Sequence, residues 1–148
     1  MSKQTRKSLY KKLDTVFSKL IRERSDWICE ACKIDYKHEP GYLDCSHYIG
    51  RGNHHIRFDP MNASAHCKKC HLNFTHRYWE HEKWFLDTFG QGHIDILRDK
   101  WITMQNKGYK RSIGDLEDML KYFNETLDSM LLLRKNGKRG YIDFKGWD

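Results

Sequence analysis

The sequence predicts an α+β protein in which a small cysteine-rich core is flanked by α-helices on both sides. Three observations predict this fold: two CxxC pairs in the middle of the chain, a short alternation of apolar and polar residues between them, and apolar residues at helical spacing toward both termini. At 148 residues the chain is expected to form one domain. Its parts are a basic N-terminal helix (1–26), the core (27–90) and a helical extension with a basic tail (91–148).

The N-terminal segment is predicted to be a helix from about residue 5 to 24, because its apolar residues recur every three or four positions. Through Ser25 it carries eight basic and two acidic residues, a net charge of +6, whereas the whole chain has a net charge of +7. This charge favours a polyanionic partner, and Lys11 and Lys12 are candidates for contacts with nucleic-acid phosphates. An ordinary solvated helix face is the alternative.

The two CxxC pairs predict a zinc site, with Cys29 and Cys32 in the first pair and Cys67 and Cys70 in the second. A two-residue gap lets both thiolates of a tight turn face one ion, and two such turns give the tetrahedral sulfur shell that suits zinc. A disulfide framework or unconnected buried thiols are the alternatives. Four thiolates leave no open position, so this zinc is expected to be structural. Reduced thiols, without a signal peptide or an apolar run long enough for a membrane span, predict a cytoplasmic protein.

The segment between the CxxC pairs holds the candidates for chemistry. The alternation over residues 42–46 predicts a strand that delivers His47, while Asn62 precedes the second pair and His71 follows it directly. The connection 49–57 is expected to face nucleic acid, because many of its side chains can donate to phosphates or base edges. These side chains are Arg51, Asn53, His54, His55 and Arg57. A solvated hairpin tip is the alternative.

The second half of the chain is predicted to be helical, with one helix over 74–89 closed by Gly90, a short helix around 94–101, and a long helix from about 112 to 134. On the first of these, His76 and Arg77 are candidates for phosphate contacts or ordinary surface residues. The apolar stripe of the long helix predicts packing or a dimer interface. The basic tail with Lys138 and Arg139 is followed by aromatic residues, so it either grips nucleic acid or docks on its own domain.

The order of these residues resembles that of the HNH, or ββα-metal, nucleases, in which a strand bears a His, a loop leads to an Asn, and a helix bears the last metal ligand. The closer resemblance is to the phage NinG (Rap) recombination-nuclease family. The matching segments follow the family's order, at 16–24, 44–48, 57–62, 67–71, 89–90 and 94–97. The chain departs from the family pattern at Ser64, His66 and His71, where the family usually has His, Gln and often Asn.

This resemblance implies a ββα-metal core and a metal-dependent endonuclease that cleaves branched DNA, such as Holliday junctions and D-loops, in a phage-infected bacterial cell. It implies that His47 is the general base, since a neutral imidazole titrates near the working pH. Asn62 is expected to orient His47 or the loop, and His71 to bind the catalytic Mg²⁺ or Mn²⁺. An alternative assignment makes His47 a metal ligand together with His71.

The carboxylate ligand is the least defined part of this assignment, because Ser46 stands where many HNH relatives have Asp. Asp44 is the nearest carboxylate, but in a regular strand it points to the opposite face from His47, so a bulge would be needed. His76 is a third ligand candidate. The alternative functions are a catalytically silent zinc-knuckle DNA-binding protein and a general HNH endonuclease without branch specificity. A homodimer is expected, because symmetric resolution of a four-way junction requires two cuts.

Overall fold

In the computed structural model, which describes residues 4–148, five α-helices accompany a two-stranded antiparallel sheet. The elements are α1 (Arg6–Arg24), β1 (Leu43–His47), β2 (Ala63–Cys67), α2 (Lys68–His76), α3 (Tyr78–Phe89), α4 (Gln91–Asn106) and α5 (Ile113–Lys135). Short 3-10 turns, Pro40–Tyr42 and Pro60–Asn62, lead into the two strands. The predicted α+β class is confirmed. Lys3, one of the basic residues of the N-terminal segment, lies outside the described residues.

The largest core lies between α1 and α5, which pack along each other. α1 begins where the Thr5 hydroxyl accepts a hydrogen bond from the Ser8 N–H, and its apolar stripe is buried as predicted. α5 begins close to the predicted start of the long helix, where Ser112 and Asp115 form a reciprocal capping box. Its apolar stripe contributes four fully or nearly buried residues to this core, namely Leu116, Met119, Phe123 and Met130. Most of the surface that sequence analysis offered for a dimer therefore packs inside the chain.

The β-hairpin packs with one face on α1. Leu43 of β1 and Ala63, Ala65 and Cys67 of β2 are buried in the α1 core. Arg24, at the end of α1, fixes the approach by donating to the Pro60 carbonyl at 2.8 Å and to the Ala63 carbonyl. The opposite face of the hairpin is covered by α2 and α3. Among the described residues β1 pairs with β2 alone, so its outer edge is unpaired.

The helix predicted over 74–89 is two helices, and this part of the sequence prediction was wrong. Arg77 leaves the helical conformation, with φ −123° and ψ 70°, and separates α2 from α3. Across this break, the Asn73 amide donates to the Glu80 carboxylate at 2.6 Å, and the rings of Phe74 and His81 stack at 4.9 Å. The apolar spacing continues through the break because both helices cover the same hairpin face. A periodic pattern therefore could not reveal the change of direction.

The segments after α3 also differ from the sequence prediction. Gly90 ends α3 with a positive φ of 85°, as expected, but the helix that follows it spans 16 residues rather than a short stretch around 94–101. The tail docks on its own domain, because Ile142 and Phe144 are buried and the Ile142 N–H donates to the Arg24 carbonyl at 2.9 Å. Among the described residues, no helix combines the length and the apolarity needed to cross a membrane.

Candidate functional site

The four CxxC cysteines form one cluster. All their sulfur atoms lie within 4.8 Å of one another, and the Sγ atoms of Cys32 and Cys67 are 3.9 Å apart. A zinc–sulfur bond of about 2.3 Å in a tetrahedral shell places the sulfurs about 3.8 Å apart, so the cluster could hold a zinc ion. The two knuckles come from distant parts of the sequence. Their donor set and spacing fit the predicted site.

Backbone pairing brings the first knuckle to the second. The Cys29 N–H donates to the Ile34 carbonyl at 2.9 Å, and Lys33 closes this tight turn with a left-handed φ of 67°. The Glu30 N–H then donates to the Ala65 carbonyl at 2.8 Å, and the Ala65 N–H returns a hydrogen bond to the Glu30 carboxylate at 2.6 Å. The first knuckle is thus attached to β2, whose last residue is Cys67.

Cys67 also begins α2, where its sulfur accepts a hydrogen bond from the Cys70 N–H at 3.5 Å. Burial raises the pKa of Cys67, but hydrogen bonds from the Cys70 N–H and the Tyr36 hydroxyl outweigh it and lower the pKa to about 7. A lowered pKa favours the thiolate, which is the form that binds metal. Burial raises the pKa values of Cys29 and Cys70, so without a metal ion the cluster does not hold four thiolates.

A separate cleft of about 520 Å³ runs along the unpaired edge of β1. Its walls come from α1, from β1, from the start of the following loop and from α2. The lining residues that carry polar groups include Asp14, Ser18, Arg22, Asp44, His47, Arg51 and His71. The cleft therefore collects two histidines, two carboxylates and two guanidinium groups from four parts of the chain.

His47 is fixed at the end of β1 by a hydrogen bond to the loop that follows it. Its Nε2 lies 2.9 Å from the carbonyl oxygen of Arg57. Since a carbonyl only accepts, Nε2 carries the proton and Nδ1 is the basic nitrogen. The ring stacks on Phe17 of α1 with ring centres 6.1 Å apart, and burial lowers the pKa of His47. The imidazole is therefore held neutral and in one tautomer, as a general base requires.

Asn62 holds the loop between His47 and β2 from inside the protein. Its side chain is fully buried, and its Oδ1 accepts a hydrogen bond from the Ile49 N–H at 2.7 Å. Its Nδ2 donates to the carbonyls of Ile49 and Ile56 at 2.9 and 3.3 Å. Asn62 does not line the cleft. Its contacts fit the predicted role of orienting the loop that carries the Arg57 carbonyl to His47.

Asp44 and His71 meet at the other end of the cleft, with Asp44 Oδ2 3.1 Å from His71 Nδ1. Lys68 binds the second carboxylate oxygen of Asp44 at 2.9 Å. Burial raises the pKa of Asp44, but the hydrogen bonds from His71 and Lys68 outweigh it, so the pKa is lowered and the carboxylate is ionised. Asp44 and His71 are therefore candidate ligands for a divalent ion in the cleft.

The ladder between β1 and β2 is regular from Leu43 to His47, so the bulge that sequence analysis required is absent from the hairpin. Asp44 faces α2 and His47 faces α1, as an unbroken strand demands. Both nevertheless line one cleft, because the cleft follows the open edge of β1 rather than one of its faces. The predicted need for a bulge concerned the two faces of the strand, whereas residues from both faces can line a cleft at its edge.

The predicted nucleic-acid residues divide into two groups. Arg51 is exposed and lines the cleft. Arg57 instead forms a bidentate ion pair with Asp14 and lies against the ring of Tyr10, so its guanidinium is already bound within the protein. The other predicted residues lie outside the lining of the cleft. They are Lys11, Lys12, Asn53, His54, His55, His76, Arg77, Lys138 and Arg139.

The contribution of α1 to the cleft was not predicted from the sequence. Asp14, Ser18 and Arg22 follow one another at four-residue spacing along one side of the helix, beside the apolar stripe. The signal was present, because Asp14 is the first acidic residue of the chain and stands in an otherwise basic helix. His66 was noted only as a departure from the family pattern. It is fully buried against Phe74 and Trp84, and its pKa is lowered to about 3 by burial and by the nearby His81 and His71.

Comparisons with known proteins gave no match to a family model, to a curated protein or to a solved structure. The resemblance to the NinG family thus rests on the sequence segments given above.

Proposed function

We propose that this chain is a metal-dependent endodeoxyribonuclease of the HNH type, with a structural zinc ion in the four-cysteine cluster. The observation that carries the proposal is the cleft at the edge of β1. There, a buried His47 with a defined basic nitrogen shares one space with the Asp44–His71 pair and with the guanidinium groups of Arg22 and Arg51. The order of β1, β2 and α2, which bear or flank His47, Asn62 and His71, supports the same assignment.

In this proposal His47 acts on the water that attacks the phosphodiester. Nδ1 accepts a proton from the water as its oxygen bonds to phosphorus and the bond to the leaving 3′ oxygen breaks. The Arg57 carbonyl holds the opposite nitrogen, so the ring cannot turn away as it becomes charged. Asp14, which also lines the cleft, favours the protonated ring electrostatically, whereas the positive charges of Arg51 and Arg57 oppose it. A positioned general base of this kind contributes about 10²–10⁴-fold to the rate.

The donor set in the cleft fits a weakly held divalent ion. Asp44 and His71 would supply one oxygen and one nitrogen, and within the described residues no third Cys, His, Asp or Glu joins them in a metal-binding group. Two protein ligands leave room for water and phosphate oxygens, which is how Mg²⁺ and Mn²⁺ are usually held at phosphoryl sites. The ion would neutralise charge on the phosphate and on the leaving oxygen. Lys68 and His71 Nδ1 each bind one oxygen of Asp44, so at least one of these hydrogen bonds must open before Asp44 can bind the ion.

Positive side chains along the cleft would hold the DNA backbone. Arg51 is exposed on the loop after His47, and Arg22 of α1, whose guanidinium lies over the ring of Trp27, also lines the cleft. Guanidinium groups suit this task because they match phosphate oxygens in pairs and stay charged. Selectivity for branched DNA is part of the proposal on the family resemblance alone. A dimer with two such clefts would need a surface other than the buried stripe of α5, and Leu131, Leu132 and Leu133 are the exposed apolar residues of that helix.

A second candidate function is a catalytically silent DNA-binding protein. One observation favours it: Asp44 is already satisfied by Lys68 and His71, and Ser46 supplies no carboxylate beside His47. In that case the cleft would bind a phosphate backbone without cleaving it.

The test compares the wild-type protein with His47→Ala on labelled four-way junction, nicked, single-stranded and linear duplex DNA. Mg²⁺, Mn²⁺ and chelator are tried in turn, and binding is measured in parallel. His38→Ala is the matched control, because His38 is exposed and lies outside the cleft. We expect cleavage that requires the metal, that falls by about 10²–10⁴-fold in His47→Ala and that is unchanged in His38→Ala.

Binding without cleavage in the presence of each metal would reject the nuclease proposal in favour of the silent DNA-binding protein. Equal cleavage by His47→Ala would show that another group activates the water. Equal rates on junction and linear duplex would leave a general endonuclease without branch specificity.

A further inference from the structure

A second concave site, of about 410 Å³, lies beside the first turn of α1. Arg6 and Tyr10 come from α1, His54 and His55 come from the loop after His47, and residues 109–111 come from the connection between α4 and α5. None of the residues that line this pocket carries a carboxylate. Every one is a lysine, an arginine, a histidine or a tyrosine, so the pocket combines positive charge with flat rings.

Hydrogen bonds hold the walls of this pocket together. Arg111 is buried and donates to the carbonyls of His54 and His55 at 3.0 Å each, while a further bond at 2.7 Å joins it to Asp148. Arg6 donates to the Arg111 carbonyl at 2.8 Å. The three parts of the chain are therefore fixed relative to one another before any ligand binds, which lowers the entropy lost on binding.

The charge in the pocket is only partly balanced within the protein. The buried Nε–H of Arg111 has no acceptor among the described residues. Lys110 is exposed and forms no ion pair with any of the described residues. The pKa of His54 is lowered by burial and then by its positive neighbours Arg57, His55 and Arg111, which shows that the local potential is positive. Such a site favours an anion.

The pocket lies at a definite distance from the cleft along α1. Arg6 and Tyr10 of the pocket precede Asp14 and Ser18 of the cleft by eight residues each. A helix rises 1.5 Å per residue, so the two sites are separated by about 12 Å along the helix axis. This separation exceeds the axial rise of about 3.4 Å between successive phosphates of one B-form strand, so the two sites would contact different nucleotides of a bound strand.

We propose that this pocket binds a nucleotide of the DNA strand that occupies the cleft, at a different nucleotide from the one whose phosphate lies beside His47. Lys110 and Arg6 contact its phosphate, and the rings of Tyr109 and His54 offer stacking surfaces to its base. The inference rests on the proposed function, because it takes the cleft as the site of the scissile phosphate. It adds a second contact that is too far away to take part in the chemistry.

The test measures the affinity of single-stranded DNA of ten nucleotides for the full chain carrying His47→Ala, without divalent ions, so that no cleavage occurs. Lys110→Ala is compared with Lys121→Ala, which removes the same charge from an exposed position of α5 outside both sites. Loss of one phosphate contact on a single strand lowers the salt slope by about 0.7, which is about fivefold in affinity at 0.1 M salt. We expect this loss for Lys110→Ala and none for Lys121→Ala.

Two further comparisons identify the part of the nucleotide that the pocket binds. Tyr109→Ala should weaken binding of the normal oligonucleotide more than binding of an abasic one, whereas Tyr109→Phe, which keeps the ring, should bind both like the parent protein. A 5′-phosphate on the oligonucleotide separates the two sources of phosphate. If Lys110→Ala weakens only the phosphorylated oligonucleotide, the pocket binds a strand end, and if it weakens both equally, the pocket binds a backbone phosphate.

The failures of the two proposals are distinguishable. If Lys110→Ala and Lys121→Ala have the same affinity and salt slope, the pocket inference is overturned, while metal-dependent cleavage by the wild type would still stand. If Lys110→Ala weakens binding but the wild type never cleaves DNA, the pocket stands as part of a DNA-binding protein and the nuclease proposal fails.

Discussion

Replacing Asn62 by Asp tests whether the buried amide holds the loop that positions His47. The substitution keeps the shape of the side chain and the oxygen that accepts from the Ile49 N–H. It removes the NH₂ group that donates to the carbonyls of Ile49 and Ile56 and places an oxygen against them. The site is fully buried, so water does not replace the lost donors without local opening.

The expected cost follows from these two carbonyls. Leaving a buried acceptor without a donor costs about 1–3 kcal/mol, so two of them give a loss of about 2–4 kcal/mol in the free energy of unfolding when the loop relaxes partly. This is a large share of the roughly 5–15 kcal/mol of a typical domain, but it leaves the protein folded at 25 °C. Burial raises the pKa of the introduced carboxyl above the value of about 3.9 that it has in the unfolded chain. The loss should therefore grow as the pH rises above about 4 and level off once the group also ionises in the folded protein.

The assay is urea denaturation at several pH values together with DNA cleavage at 25 °C. If the loop moves the Arg57 carbonyl by about 1 Å, the cleavage rate should fall by about 100-fold although nearly all molecules are folded. Ser18→Ala, a conservative change on the α1 wall of the cleft, serves as a comparison for stability. An unfolding midpoint equal to that of the wild type would refute the role given to Asn62, and a normal cleavage rate in a destabilised variant would separate the loop from the chemistry.

Three other predictions address the zinc cluster, the base and the buried ion pair. Zinc should be found at one equivalent, and its removal by chelator, or Cys67→Ser, should abolish the cooperative thermal transition; an unchanged transition would exclude a structural ion. Burial lowers the pKa of His47, and the neutral ring is the active form. Cleavage should therefore decline only as the pH falls below about 6.5. A midpoint of the pH–rate profile above about 6.5 would contradict the buried environment of His47. Arg134→Met should cost about 3–5 kcal/mol in urea unfolding, since it leaves Glu23 buried without its 3.1 Å partner, and adding Glu23→Gln should recover part of the loss.

The parts of the fold that follow from local chemistry could be predicted from the sequence. The buried stripe of α1, the Ser112 capping box and the stop at Gly90 each depend on residues within a few positions of one another. The break at Arg77 could not be predicted, because the apolar pattern is the same on both sides of it. Likewise, the tail could not be assigned to its own domain before its contact with Arg24 was known.

For the candidate site, the sequence predicted the identity of the side chains more reliably than the contacts between them. The CxxC spacing predicted four clustered sulfurs, since each pair needs only a local turn. The role of Arg57 depends on Asp14, which lies 43 residues earlier, and no local pattern reports that distance. The cleft itself arises because one edge of β1 is left unpaired, which is a property of the whole sheet.

The packing of α1 against α5 also sets an order for folding. The zinc knuckles and the hairpin lie within residues 29–70, whereas α1 must wait for a helix that begins at Ile113. During synthesis the cysteine cluster and the hairpin can therefore close early against one side of α1, while the side of α1 that faces α5 has no partner until most of the chain has been made. Contacts of such long sequence separation form slowly, because loop entropy is lost before they are gained. Slow refolding should therefore be traced to the packing of α1 on α5 rather than to the zinc cluster.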